Sequence, residues 1–304
     1  MTVALSGIAD DILAEGLSQI AREVDSLFDA LLPVPQDARA RLIEAMRYAT
    51  IGGGKRIRPL LLVSTAEMYG VDRDSALRAG VAIEAIHAYS LIHDDLPCMD
   101  DDAMRHGKPT VHCAFDEATA VLAGDALHAF AFELLADPAT SGDPFIRAEL
   151  VQALGHASGF QGMAGGQMMD IVAEDGKFDL PTVTRLQQLK TGALLGAAVE
   201  MGAIMGHVPH EGRTHLRGYS RDIGLAFQIA DDLLDHEGDE AAAGKALRKD
   251  ADAGKQTFVS LLGPECAREQ ARLLVDQAIA HLAHHDSEAD LLRALARFIV
   301  ERDR

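Results

Sequence analysis

Two clusters of carboxylates carry the strongest chemical signal in this chain. The first is Asp94-Asp95-Leu96-Pro97-Cys98-Met99-Asp100-Asp101-Asp102, at the end of a long apolar stretch. The second is Asp231-Asp232-Leu233-Leu234-Asp235, closing another. Residues four apart share a helical face, so Asp231 and Asp235 stand on one side of their segment. Acidic groups near a helix C-terminus oppose the macrodipole, and carboxylates this dense need neutralising. A hard, oxygen-ligated cation such as Mg²⁺, which joins carboxylates to substrate phosphates, meets that need. Either cluster alone reads equally well as a solvated acidic helix end. Two of them, each closing an apolar helix, point to metal-bridged phosphate chemistry.

A basic segment complements them. Gly52-Gly53-Gly54-Lys55-Arg56-Ile57-Arg58-Pro59 places three cations between a glycine run and an apolar helix. Glycine lets backbone come close to a ligand, and arginine can fork onto phosphate oxygens. The spacing GxxxxGK[ST] is absent, so this is not a P-loop. The chain carries a net charge of -19, a field that repels phosphate-bearing molecules. Such a protein handles phosphates only through local cations or bound metal. The same field argues against nucleic acid and anionic membrane surfaces as partners.

These residues must be positioned by helices, because the dominant period is helical. In 220–235, Ile223, Ala226, Phe227, Ala230, Leu233 and Leu234 form an apolar stripe, while Gly224, Gln228, Asp231 and Asp235 form a second, polar one. Residues 76–96 are apolar nearly all round, the pattern of a helix buried inside a bundle. Segments 60–69, 115–136, 145–157, 182–205, 265–282 and 287–302 are also helical in spacing, and no segment alternates as a strand should. Gly52–Gly54, Pro97, Gly107–Pro109, Pro138–Pro144, Gly176–Pro181, Pro209–Gly212 and Gly263-Pro264 mark loops. None is a flexible linker, and there is no internal repeat. The expectation is an all-α fold, one large helical domain spanning 1–304 with a central cavity.

Of 304 residues, 48% are hydrophobic and 25% charged, as in ordinary globular proteins. Cys98, Cys113 and Cys266 are widely spaced, which suggests neither zinc site nor disulfide framework and suits a reducing cytoplasm. Asp10, Asp11 and Glu15 precede any basic residue, the reverse of a secretory signal. No apolar run reaches the ~20 residues of a bilayer span. A cytoplasmic protein without stable membrane insertion is expected.

GGGKRIRP, DDLPCMDDD, LKTGAL at 189–194, GLAFQIADDLLD at 224–235 and the later Gly-Lys pairs occur in one order. From about residue 45 to 262 that order resembles the trans-isoprenyl diphosphate synthases, most closely the bacterial farnesyl diphosphate synthases. The resemblance implies the isoprenoid synthase fold, a single large helical bundle around a deep apolar cavity, usually homodimeric, and a Mg²⁺ requirement (three ions with substrate bound, Mn²⁺ as an alternative). Its substrates would be isopentenyl diphosphate and an allylic diphosphate, dimethylallyl or geranyl. Asp94, Asp100, Asp231 and Asp235 are the implied metal ligands. With Asp95, Asp232 and Lys190 they contain the implied catalytic set. The allylic C–O bond ionises, the isopentenyl double bond attacks the cation, and a proton leaves.

By motif position, Lys55, Arg58 and His87 should hold isopentenyl diphosphate, and Arg105 should reach the allylic diphosphate. Lys190, Thr191, Gln228, Lys245 and Lys255 should bind or close over it. His87 lies two helical turns before Asp94, on the same face. Gln228, one turn before Asp231, has a second reading as the group that orients it. Gln167 and Asp170 in Gly162–Asp170, read as a glycine-kinked helix, are further polar contacts near the cavity mouth. One position departs from the family pattern: His106 stands where a second arginine is usual. Histidine is shorter and mostly neutral at pH 7, so either it grips diphosphate weakly or another cation such as Arg56 compensates.

Tyr89 lies five residues before Asp94, roughly 7.5 Å deeper at ~1.5 Å per residue. A prenyl tail growing away from the acidic motif would meet its ring as a floor. The family resemblance then favours a C15 product, farnesyl diphosphate. A core aromatic with a bonded hydroxyl is the competing reading of Tyr89, and geranylgeranyl diphosphate the competing product. A terpene cyclase would not need Lys55 and Arg58, and a non-catalytic partner subunit would have lost one acidic cluster.

Overall fold

The long apolar helix that ends in the first acidic cluster is the axis of the molecule. In the computed structural model, which describes residues 2–173, 178–237 and 256–301, with side chains from Asp11 onward, it is α4 (Arg73–Asp94). Its start is fixed by Asp72, whose carboxylate accepts the Ser75 amide at 3.1 Å. Residues on all its sides, among them Val81, Ile83 and Ile86, are fully buried. Its end comes at Asp94 and Asp95, two residues before Pro97 forbids continuation.

The other helices wrap this axis. In chain order they are α1 (Thr2–Leu31), α2 (Ala40–Thr50), α3 (Ile57–Met68), then after α4 the short α5 (Val111–Ala114), α6 (Glu117–Ala136), α7 (Pro144–Ser158) and α8 (Met163–Ala173). There follow α9 (Leu180–Gln187), a π segment (Gln188–Gly192), α10 (Ala193–Met205), a 3-10 turn (His210–Arg213) and α11 (Thr214–Glu237). The described chain closes with α12 (Phe258–Leu262), α13 (Pro264–His281), a 3-10 turn (Ser287–Ala289) and α14 (Asp290–Glu301). Helix α6 packs along α4, α10 against α3, and α13 against α11. One core runs through them, with Phe28, Leu61, Leu62, Leu127 and Tyr219 among its largest fully buried side chains.

The architecture matches the all-α expectation, with three corrections. First, the chain does contain strands. Met104–Arg105 (β1) and Lys108–Pro109 (β2) pair antiparallel. Their two-residue turn, His106-Gly107, has φ of 50° and 74°, as such tight hairpins require. Two residues per strand are too few to show alternation. Second, α6 is long and apolar enough, by length and composition, to cross a membrane. Asp125 and His128 interrupt the apolar run, but both sit on its exposed side. Third, α8 begins after Gly162, so Gly162 lies in the preceding turn, and the helix carries Gly165, Gly166, Gln167 and Asp170. Lys245 and Lys255 lie outside the described residues.

Candidate active site

The first acidic cluster is shaped by the chain doubling back past Pro97. The Asp100 amide donates to the Asp94 carbonyl at 2.8 Å, and the Met99 amide donates to the Leu96 carbonyl at the same distance. Asp101, with φ of 50°, completes the reversal. Asp94 and Asp100 are thereby held close. Burial pushes the Asp94 carboxyl up to about 6; Lys190 opposes the shift, and Asp100 and Asp95 add to it.

Asp95 is buried and serves Arg105. The Arg105 guanidinium donates Nε to both carboxylate oxygens, at 2.8 and 3.0 Å. Its Nη2 lies 2.6 Å from Oδ1 and 3.8 Å from Asp102. Such a fork fixes a guanidinium in orientation as well as place. The hairpin that carries Arg105 is held at its far side by Tyr48, whose hydroxyl donates to the Pro109 carbonyl at 2.7 Å.

The second cluster is built differently. Asp231, Asp232 and Asp235 lie within α11. Asp232 is buried, and its Oδ2 accepts the Phe258 amide at 2.7 Å. It thus fixes the start of α12, where the described chain resumes. Asp231 and Asp235 are half-buried on the side the helical spacing assigned them.

The π segment joins the two regions. Lys190 donates Nζ to Asp170 on α8 at 2.7 Å and is close enough to Asp94 to lower its carboxyl's proton affinity. Gln187, just before the segment, accepts from Gln228 on α11 at 2.6 Å. Gln228 therefore bonds across to the π segment's edge. Helix α8 reaches this segment only because residue 166 is glycine: a Cβ there would lie 2.2 Å from the Lys190 amide nitrogen. Likewise, a Cβ on Gly224 would come within 3.4 Å of the Gly192 Cα. Such π segments recur at functional sites. Beyond the glycines, nothing in its sequence announces it. Thr191 lies in the same segment, half-buried. Both polar atoms of the Gln167 side chain, one helical position from Gly166, are buried without a hydrogen-bond partner among the described residues.

On the basic side, a cleft is lined by the Gly52–Gly54 loop, Arg56, His87, Arg105, His106 and Lys108, among others. The Arg58 Nε is buried and has no hydrogen-bond partner among the described residues. His87 is held well below its ordinary value by burial, then by Arg58, Arg105, His106 and Arg56. It is a neutral imidazole among cations. Lys55 stands 5.6 Å from the centroid of the Phe298 ring on α14.

Arg56, which lines the same cleft, has its guanidinium engaged by the protein itself. It is buried and donates to Glu84 at 2.9 Å, to Asp25 at 2.7 Å, and to the Thr50 carbonyl. Its guanidinium ties the glycine loop to α1, α2 and α4.

Tyr89 is half-buried, its ring edge-on to His128 at 5.1 Å and to His93 at 5.8 Å. The aromatic cluster that includes Phe132 lies between α4 and α6. No hydrogen bond to the Tyr89 hydroxyl exists among the described residues.

The donor chemistry suits a hard cation, although among the described residues no three of these carboxylates are gathered at one point. Asp94, Asp100, Asp231 and Asp235 offer oxygen alone, without thiolate or imidazole. The raised Asp94 carboxyl, crowded by its neighbours, gains from a bound positive charge.

Comparison with known proteins agrees over nearly the whole chain. Residues 39–297 match the family described as polyprenyl synthetase. The chain is 43% identical over 297 residues to the farnesyl diphosphate synthase of Haemophilus influenzae, covering 95% of this chain and 98% of that protein. It is 43% identical over 291 residues to the farnesyl diphosphate synthase of Escherichia coli, covering 93% and 96%. Among solved structures, an FPP/GFPP synthase from Zymomonas mobilis superposes with a TM-score of 0.87 at 58% identity, covering 96% of this chain and 99% of that one. With its two acidic motifs carried on this helical scaffold, the match over residues 39–297 and these relatives place the chain in the polyprenyl synthetase family.

Proposed function

We propose that this enzyme is a short-chain trans-prenyltransferase that condenses isopentenyl diphosphate with dimethylallyl or geranyl diphosphate to give farnesyl diphosphate. The observation that carries the reading is the buried Arg58 Nε, without a hydrogen-bond partner among the described residues, near neutral His87 in an otherwise strongly acidic chain. A buried donor without an acceptor is costly, and a diphosphate oxygen supplies one.

In this reading Lys55, Arg58 and His87 bind the diphosphate of isopentenyl diphosphate. Arg105, fixed by Asp95, and Lys190, fixed by Asp170, face the allylic diphosphate, with Thr191 and Gln228 beside it. Lys245 and Lys255 are assigned by motif position alone. Asp94, Asp100, Asp231 and Asp235 would hold Mg²⁺, or Mn²⁺ in its place, which when bound supplies Lewis-acid stabilisation of the departing diphosphate. Lys190 and Arg105 stabilise the same developing charge by fixed position. Asp95 and Asp232 act by holding Arg105 and the start of α12. The apolar side chains of α4 keep water from the allylic cation. Tyr89 and its histidine neighbours bound the tail, which supports the C15 product over a longer one.

The whole chain serves as a single domain in this reading, and the active form is a cytoplasmic homodimer. The exposed Val121 and Leu122 on α6 support association, and three exposed free cysteines suit a reducing compartment. A continuous assay of diphosphate release tests the class of reaction. Release should require both substrates and Mg²⁺ and stop with EDTA. Release from an allylic diphosphate alone, at an undiminished rate, would instead mark a cyclase.

A further inference from the structure

The departure at His106 leaves the cationic cleft one permanent charge short of the family pattern, and Arg56 is already engaged by Asp25, Glu84 and the Thr50 carbonyl. Partial desolvation and the nearby Arg105 and Arg56 hold the His106 imidazole, on the exposed turn of the hairpin, below its ordinary value, so it brings no full charge at neutral pH. The hairpin supplies another group. Lys108, directly across the register from Arg105, lines the same cleft. Its ammonium sits above the glycine loop: a Cβ on Gly52 would lie 3.7 Å from Nζ. Gly52 itself has φ of 76°, and its amide is held by Asp25 at 3.0 Å. The loop under the lysine is therefore anchored. The hairpin above it is anchored too, by Arg105–Asp95 on one strand and by Tyr48 on the Pro109 carbonyl.

Lys108 has no carboxylate within ion-pair distance among the described residues, unlike Arg56 and Arg105 beside it. An exposed lysine at the edge of a cleft, on a pinned hairpin and with no carboxylate partner among the described residues, is placed for an external anion. We propose that Lys108 is a diphosphate-binding residue of the isopentenyl diphosphate subsite, supplying with Lys55 and Arg58 the charge that His106 does not. This assignment rests on the prenyltransferase reading above and extends it to a residue which that reading left unassigned.

Steady-state kinetics with each substrate varied in turn test it. Lys108→Gln should raise KM for isopentenyl diphosphate about tenfold, as expected for losing one hydrogen bond to a charged group. kcat and KM for the allylic substrate should stay near the wild-type values. Lys108→Arg should keep most of the affinity. Adding His106→Arg to Lys108→Gln should recover it, which a merely structural role for Lys108 would not produce. An unchanged KM for isopentenyl diphosphate, or a rise confined to the allylic substrate, would overturn the assignment. If the wild-type enzyme in the same assay couples no substrates, the prenyltransferase reading fails and this assignment falls with it.

Discussion

The two acidic motifs look alike in sequence and are built on opposite principles. The one after α4 is a broken helix end: Pro97 stops the helix, and the chain returns so that the Asp100 amide bonds the Asp94 carbonyl. The one on α11 lies within an unbroken helix, and its spacing alone sets Asp231 and Asp235 on one face. In each, one carboxylate is buried and tied to the fold, Asp95 by Arg105 and Asp232 by the Phe258 amide. Counting aspartates in such motifs therefore overstates the number open to a ligand in the proposed mechanism, because a carboxylate hydrogen-bonded into the fold is already committed.

The largest effects should follow from removing the outward carboxylates. Asp94→Ala and Asp231→Ala should each lower kcat by about a thousandfold, the scale of losing a preorganised electrostatic contact to the transition state. Turnover near normal in both variants would remove these residues from the metal assignment. Asp232→Asn tests the contrast. It keeps a side-chain acceptor for the Phe258 amide, so its kcat loss should be well below that of Asp231→Ala.

A smaller effect, on the fold itself, separates Asp95 from Asp94. Arg105→Gln leaves Asp95 buried without its partner and should cost about 3 kcal/mol of stability, read by denaturant unfolding. No comparable loss is expected from Asp94→Asn.

The pH response should distinguish the two further. Because the Asp94 carboxyl is pushed up to about 6, protonation favours the metal-free fold. That contribution is full below about pH 4 and is lost as pH rises through about 6. Mg²⁺ requires the deprotonated carboxyl, so the rise in Tm produced by Mg²⁺ should grow between pH 5 and 7.5. The Asp94→Asn variant should lack that growth. Smallest in rate but clear in outcome, Tyr89→Ala should leave coupling intact and lengthen the product.

Much of this was legible in the sequence because helical periodicity and Gly/Pro breaks are local signals. The apolar girdle of residues 76–96, the loop at Pro97 and the shared face of Asp231 and Asp235 all follow from spacing. The long α1 was there to be read as well, in Leu13, Leu17, Ile20, Val24 and Phe28, a run at helical spacing that is largely buried. The Arg105–Asp95 fork, the Asp232–Phe258 bond and the engagement of Arg56 were not legible. They are tertiary hydrogen bonds between residues whose types are the same whether they face ligand or fold. The π segment likewise depends on α8 and α11 pressing against Gly192 and Lys190, and the hairpin is too short to leave a pattern.

The most direct measurement identifies what the purified enzyme makes. Dimethylallyl diphosphate, excess isopentenyl diphosphate and Mg²⁺ are supplied, with EDTA in a parallel reaction, and the products are dephosphorylated and identified as alcohols. Farnesol, formed only with Mg²⁺, is the predicted result. Geranylgeraniol would keep the coupling chemistry and contradict the Tyr89 floor, and the absence of any coupled product would contradict the account as a whole.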